Sequence, residues 1–332
     1  CEDSDLYREH PDWAFTIPGR KPVRARYQLV LDYSRKEVVD GIFTQIAKVL
    51  DETKADYVKM DMNRHLTDVW SKTEGEQNQG AILHRYMLGV YDFLERLHER
   101  YPALLIEGCS GGGGRFDAGM LYYTPQIWCS DNTDAIERVK IQYGTSFAYP
   151  SCTVGSHVSA VPNHQTGRTT ELATRAAVAM AGSFGYELDL NLLTEEEKEQ
   201  VRAQIKNYHR FEMLIRQGRY YRLTDVWQKK EYAAWEYCRP DGSEALVTVV
   251  TLNTQCNPAT EYVKLRGLGE DKKYRVEVVG MQTGGENGQR INGTPNAVEP
   301  EYYTGAQLVY AGVPVPRLGN EYKPWQVYVK EV

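Results

Sequence analysis

The chain has 332 residues, 42% hydrophobic and 25% charged, an ordinary balance for a globular protein and enough length for two domains or for one large α/β barrel with an appendage. A formal charge of −6, with basic residues scattered rather than striped, argues against a nucleic-acid or anionic-membrane surface, and no apolar run approaches a membrane span. Six widely spaced cysteines (1, 109, 129, 152, 238 and 256), without C-x-x-C or Cys/His pairing, speak against zinc and a disulfide framework and fit a reduced, cytoplasmic setting, and the opening C-E-D-S-D-L-Y carries no signal-peptide pattern.

Residues 1–26 hold His10-Pro11, Pro18-Gly19 and Lys21-Pro22 and read as a long ordered loop. Gln28 to Leu31 reads as a short buried strand ending at Asp32. Ser34 and Glu37 then have capping-box spacing ahead of a helix whose apolar positions run from Val38 to Leu50. The next strand is Tyr57 to Met60. A polar stretch, 71–79, precedes a helix from about Ala81 to Arg100, and strands follow at Leu104 to Ile106 and Ile127 to Cys129. A helix from Ala135 to Tyr143, a strand at Phe147 to Tyr149, a long loop to Arg168, an Ala-rich helix to about Ala181 and a strand at Phe184 to Leu188 come next. Thr194 with Glu197 forms a second capping box, opening a helix to about Gln217.

Strand, polar loop and helix thus alternate about six times, which means a parallel sheet with the chemically interesting residues just after each strand. The expected fold is a (β/α)8 barrel over residues 1–218, with its first strands lying before Cys1; an open doubly wound sheet is the alternative. Beyond Arg219 the pattern turns to hairpins, with Trp235 to Cys238, Leu246 to Leu252, Tyr274 to Val279 and Trp325 to Val329 as strands of a small antiparallel β-sandwich over 219–332.

D-Y-V-K-M-D-M-N-R at 56–64 is the centre of the chemistry. Residues two apart on a strand face one way, so Lys59, Asp61 and Asn63 share a side, and an ammonium with a carboxamide keeps Asp61 ionised as a nucleophile or electrostatic stabiliser requires. From the nonapeptide alone, a solvated strand end with an ion pair is the stronger reading. Asp131, after a later strand, can face the same pocket, and two carboxylates about 5–5.5 Å apart are the apparatus of retaining glycoside hydrolysis. From S-D-N-T-D alone, a turn or N-cap residue before the Ala135 helix is at least as good a reading, although Asp134 or Thr133 is the better cap candidate. The glycines 111–114 fit no phosphate fingerprint and suit either a tight turn or a backbone passing under a small polar ligand, with Ser110 and nearby N–H groups available to it. Arg26 can hold a hydroxyl or a carboxylate, although a surface arginine is the commoner case, and His157 and His164 share a loop without ligand spacing, which leaves no metal site.

The segments V-K-M-D-M-N-R, E-G-C-S-G-G-G-G-R-F-D-A-G-M, W-C-S-D-N-T-D-A-I-E-R and H-V-S-A-V-P-N-H-Q-T-G-R, in this order, resemble the α-galactosidases of glycoside hydrolase family 36. The resemblance implies a retaining, metal-free and cofactor-free hydrolysis of terminal α-galactosides such as melibiose or raffinose. In it, Asp61 is the nucleophile and Asp131 the acid/base, while Lys59, Arg26, Asn63, Cys109 and Ser110, with Gly111 beside them, fall on galactose-contacting positions. It also implies a homo-oligomer, a tetramer. Met60 departs from the family's usual aromatic residue. Activity alone is then in question, since the family's preceding strands are not in this chain, and an inactive fragment or sugar-binding remnant, an α-N-acetylgalactosaminidase and an α-galactosyl transferase are the competing readings.

Overall fold

The computed structural model of the protein describes residues 1–257, 259–279, 301–316 and 321–332. These form two compact units, Cys1–Trp128 and Cys129–Val332.

The first unit contains helix α1 (Asp5–Glu9), helix α2 (Lys36–Thr53), strand β1 (Tyr57–Asp61), helix α3 (Ile82–Arg100), strand β2 (Leu105–Cys109), helix α4 (Ala118–Tyr123) and strand β3 (Gln126–Trp128). Strands β1, β2 and β3 are parallel neighbours, with Lys59 opposite Glu107 and Asp61 opposite Cys109. Helix α3 turns Ile82, Tyr86, Val90, Phe93, Leu94 and Leu97 inward, as its 3.6-residue apolar spacing predicts, against Val39, Leu50, Ile106 and Ile127. Val58, Met60 and Met62 pack on this core from the face of β1 opposite to Lys59 and Asp61.

Three expectations for the first unit need correction. The loop over 1–26 contains α1, because Ser4 caps it by accepting a hydrogen bond from the Tyr7 N–H. Gln28 to Leu31 is no strand; it holds two isolated bridges, Ala14 with Leu31 and Ala25 with Gln28. Nor do Ser34 and Glu37 form a capping box. The Ser34 hydroxyl and N–H both go to the buried Asp32 carboxylate, Glu37 pairs with Arg35 at 2.8 Å, and α2 starts at Lys36 without a side-chain cap.

In the second unit helix α5 (Ala135–Thr145), strand β4 (Val154–Ser159), helix α6 (Leu172–Ala179), strand β5 (Ser183–Glu187) and helix α7 (Glu195–Gln217) continue the alternation, with β4 and β5 parallel. The strand expected at Phe147 to Tyr149 is a turn with Phe147 exposed, and the strand lies instead at Val154 to Ser159, inside the expected loop. Thr194 does cap α7 in a capping box with Glu197.

After α7 the chain becomes antiparallel: β6 (Arg219–Arg222), β7 (Tyr232–Cys238), β8 (Glu244–Thr251), β9 (Tyr262–Val263), β10 (Lys273–Val278), β11 (Glu301–Thr304), β12 (Val313–Pro314) and β13 (Pro324–Glu331). A six-stranded sheet in the order β11-β10-β13-β8-β7-β6 is accompanied by the ribbon β12-β9. One face of this sheet carries Ala233, Trp235, Tyr237 and Leu246 into a core with Val139, Tyr143, Phe211, Leu214 and Ile215 of the helices. The other face packs Ala234, Val247 and Val249 against Val263, Leu265, Leu308 and Val313.

Candidate active site

Asp61 is the last residue of β1, where the sheet ends and side chains are free to meet a ligand. Pairing of β1 with β2 puts Lys59, Asp61, Glu107 and Cys109 on one sheet face, because each pair is two residues apart and the strands are in parallel register. Asn63 lies just beyond the strand and its amide nitrogen donates to Asp61 Oδ2 at 2.7 Å. The Gly111 N–H donates to the other end of that amide, Asn63 Oδ1, at 3.0 Å. Asn63 is therefore held from both sides.

The Asp61 carboxyl lies below its ordinary value. Burial works against ionisation, and the Cys109 thiol, the Asn63 amide, the Gly111 N–H and the Lys59 charge together outweigh it. The sequence pointed to Lys59 and the amide; the thiol precedes both in effect. Burial with the Asp61 negative charge nearby pushes the Cys109 thiol up to about 11, despite an opposing contribution from the Gly112 backbone, so it stays a donor.

The glycine loop does less than expected of it and more than a plain turn. Gly111 and Gly112 have φ of 54° and 82°, and a Cβ on Gly114 would come within 2.6 Å of the Ser110 carbonyl oxygen, so the chain can fold back here only without side chains. Two donors offered to a ligand by the sequence are already used: the Ser110 hydroxyl donates to the Met62 carbonyl at 2.8 Å, and the Gly111 N–H goes to Asn63. Both bonds tie the loop after β2 to the residues after β1.

Arg26 is exposed, and among the described residues no hydrogen bond or ion pair joins it to the Asp61 group. It occupies a tight turn with Tyr27, at φ of 51° and 60°, closed by the Ala25 and Gln28 bridge. Such a turn favours Asn and Gly, so Arg-Tyr gave no signal for it. Buried Arg64 fixes the turn by donating to the carbonyls of Gln28 at 3.1 Å and Val23 at 2.5 Å.

Glu107 went unassigned in the sequence reading, although it is only two residues before Cys109. Its side chain is 2% exposed, it accepts from the Tyr57 hydroxyl through Oε2, and its Oε1 lies 3.4 Å from the Lys59 ammonium. Lys59 also sits 4.7 Å over the Trp128 ring. The ammonium is thus aimed by a carboxylate and an aromatic face rather than left free at a strand end.

Asp131 belongs to the second unit and is exposed at the tip of S-D-N-T. Asp134, as the residue spacing suggested, is the helix cap: it accepts from the Ile136 N–H and is bonded by Arg168 and Thr166. That leaves Asp131 free of the capping role. His157 lies in β4 rather than sharing a loop with His164, and among the described residues no group of three or more His, Cys, Asp or Glu is arranged to hold a metal. No helix among the described residues is long and apolar enough to cross a membrane.

Comparison with known proteins decides the family. Residues 1–218 match the Melibiase family model, and residues 232–329 match the Glycosyl hydrolase family 36 C-terminal domain. The chain belongs to the melibiase family, glycoside hydrolase family 36. The bifunctional α-galactosidase/sucrose kinase AgaSK of Mediterraneibacter gnavus is 55% identical over 100% of this chain and 32% of its own length. The α-galactosidase AgaA of Geobacillus stearothermophilus is 45% identical over 96% of this chain and 41% of its own length. Solved structures agree. The galactosidase domain of AgaSK superposes with a TM-score of 0.88 at 54% identity, over 100% of this chain and 42% of that one. An AgaA variant in complex with raffinose gives 0.90 at 44% identity, over 100% and 43%. This family 36 chain therefore spans about a third to two fifths of the curated relatives it matches, and its parallel strands are β/α units of a (β/α)8 barrel followed by an antiparallel β domain.

Proposed function

We propose that the protein is a retaining α-galactosidase acting on terminal α-linked galactose of melibiose- or raffinose-type oligosaccharides. The observation that carries this reading is the placement of Asp61 at the end of β1, where the Asn63 amide donates to it and Cys109, Gly111 and the Lys59 ammonium favour its charged form. In the first step Asp61 attacks the anomeric carbon while the glycosidic oxygen leaves with the proton of Asp131. In the second, the Asp131 carboxylate takes a proton from water, whose oxygen attacks the same carbon and releases Asp61.

Lys59, Arg26, Asn63, Cys109, Ser110 and Gly111 are assigned to galactose binding. For Asn63, Ser110 and Gly111 the bonds described above support an indirect share, in which they hold the pocket wall while Lys59 and the Cys109 region meet the sugar. The assignment of 1–218 to the catalytic barrel and 219–332 to the β domain belongs to the same proposal, as do a cytoplasmic setting and a homo-oligomer. Bound raffinose and stachyose in AgaA variants support the substrate class.

The test is hydrolysis of 4-nitrophenyl α-galactoside by the full-length protein and by its Asp61→Ala variant. Turnover in the first and none in the second, with both folded, is the expected outcome. Wild-type-like turnover by Asp61→Ala removes the nucleophile assignment.

A further inference from the structure

The segment around Asp131 is gripped from below by one guanidinium. Arg138, one turn into α5, is 4% exposed. Its Nε donates to the Asn132 carbonyl at 2.8 Å and its Nη2 to the Ser130 carbonyl at 2.9 Å. Its Nη1 donates to the Gly155 carbonyl of β4 at 3.1 Å and lies 2.9 Å from Cys129 Sγ. The two carbonyls flanking Asp131 thus converge on one planar group, while the Asp131 side chain stays exposed. The Asp131 carbonyl is claimed as well, by Gln165 Nε2 at 3.2 Å, and the Asn132 N–H by Ser130 Oγ at 3.1 Å. Every carbonyl from 130 to 132 is fixed, which leaves the carboxyl of Asp131 only its side-chain torsions.

We infer that Arg138 is the positioning residue for the acid/base Asp131, its forked donors setting the direction of that carboxyl by holding the carbonyls of Ser130 and Asn132. The inference rests on the galactosidase reading above. A lysine cannot replace it: an ammonium is a point charge and cannot hold two carbonyls in a plane. Proton delivery to a departing oxygen tolerates little displacement, since the donor must lie within hydrogen-bond reach. A misplaced Asp131 therefore harms substrates that need a proton and spares those whose leaving group departs as a stable anion.

The experiment compares Arg138→Lys and Arg138→Gln with Arg175→Lys in the full-length protein. Arg175 is an equally buried arginine, donating to the Ser159 carbonyl at 2.7 Å, and serves as the control for general loosening of the barrel. All assays run below the melting point of the weakest variant. Activity on melibiose should fall about tenfold more than activity on 2,4-dinitrophenyl α-galactoside in both Arg138 variants, a partial loss of what a general acid supplies, whereas Arg175→Lys should lower both to the same degree. Added azide should speed turnover of 2,4-dinitrophenyl α-galactoside in the Arg138 variants only, with the sugar leaving Asp61 as galactosyl azide, because an anionic nucleophile needs no base. Equal losses on the two substrates in every variant would overturn the inference while leaving the galactosidase reading in place. A wild-type protein inactive on both substrates would overturn both.

Discussion

Burying a carboxylate costs several kcal/mol unless it is paired, and Glu107 is 2% exposed on the same sheet face as Asp61. Its partners explain why it is tolerated: Tyr57 donates to one oxygen and Lys59 faces the other. Lys59 is itself over a third exposed, so solvent weakens the pair and the energetic benefit to the fold is small. The benefit is geometric, for the ammonium is kept next to Asp61. Glu107→Gln preserves the volume and the contact with Tyr57 but removes the charge that aims Lys59. We expect about a tenfold loss in kcat/KM for an aryl α-galactoside, equivalent to about 1.4 kcal/mol, with an unchanged melting temperature. An unchanged kcat/KM would mean that Trp128 alone holds the ammonium.

At the scale of elements, two capping signals of the same spacing met different fates. Thr194 and Glu197 have no competitor, and the hydroxyl accepts the Glu197 N–H at 3.2 Å while the carboxylate accepts the Thr194 N–H at 2.9 Å. Ser34 has Asp32 two residues away, buried and able to take both its hydroxyl and its N–H, so the box never closes. Local patterning cannot see which acceptor tertiary burial will supply. Thr194→Ala should cost about 1 kcal/mol, read as a lower urea midpoint, and an unshifted midpoint would show that the first turn of α7 is held by packing instead. The same reasoning accounts for what was legible in the fold. Helix α3, the Asp61 strand and the β7–β8 hairpin follow from apolar spacing and turn residues. Strand β4, V-G-S-H-V-S, has three glycine or serine positions among its buried residues and so shows no apolar run, while exposed Phe147 mimicked one. In the candidate site, Asp61 and Asn63 drew notice from the residues because they lie at and just past a strand end, whereas Cys109 came only from the family resemblance. Glu107 and Arg138 were not legible, because their importance comes from register with β1 and from carbonyls folded back by the 130–132 turn.

On the scale of the molecule, the match of two family models to 1–218 and 232–329 does not coincide with a break in packing. Phe211, Leu214 and Ile215 of α7 share a core with Trp235, Tyr237 and Leu246 of the antiparallel sheet, and the Tyr237 hydroxyl donates to the Ala181 carbonyl at 2.8 Å. The second unit should accordingly unfold as one cooperative body, and any group buried in the sheet reports on all of it. Glu236 is such a group. It alternates with Trp235 and Tyr237 on β7, faces the β9 side and is fully buried, with the Arg266 N–H donating to Oε2 at 2.7 Å and, among the described residues, no hydrogen-bond partner for Oε1. Burial pushes its carboxyl up from 4.5 to about 8 against the opposing Arg266 N–H. Below pH 4.5 it is protonated in both folded and unfolded chains and has no effect. From there to about pH 8 the folded chain keeps a proton that the unfolded chain has released, so stability falls as pH rises, by at most about 1.4 kcal/mol per pH unit, and is level above. Glu236→Gln retains an acceptor for Arg266 and has no proton to lose. Its urea midpoint should therefore exceed that of the wild type near pH 8, with the two converging near the ordinary carboxylate range, and parallel midpoint-against-pH curves for the two proteins would show that Glu236 ionises freely in the folded sheet.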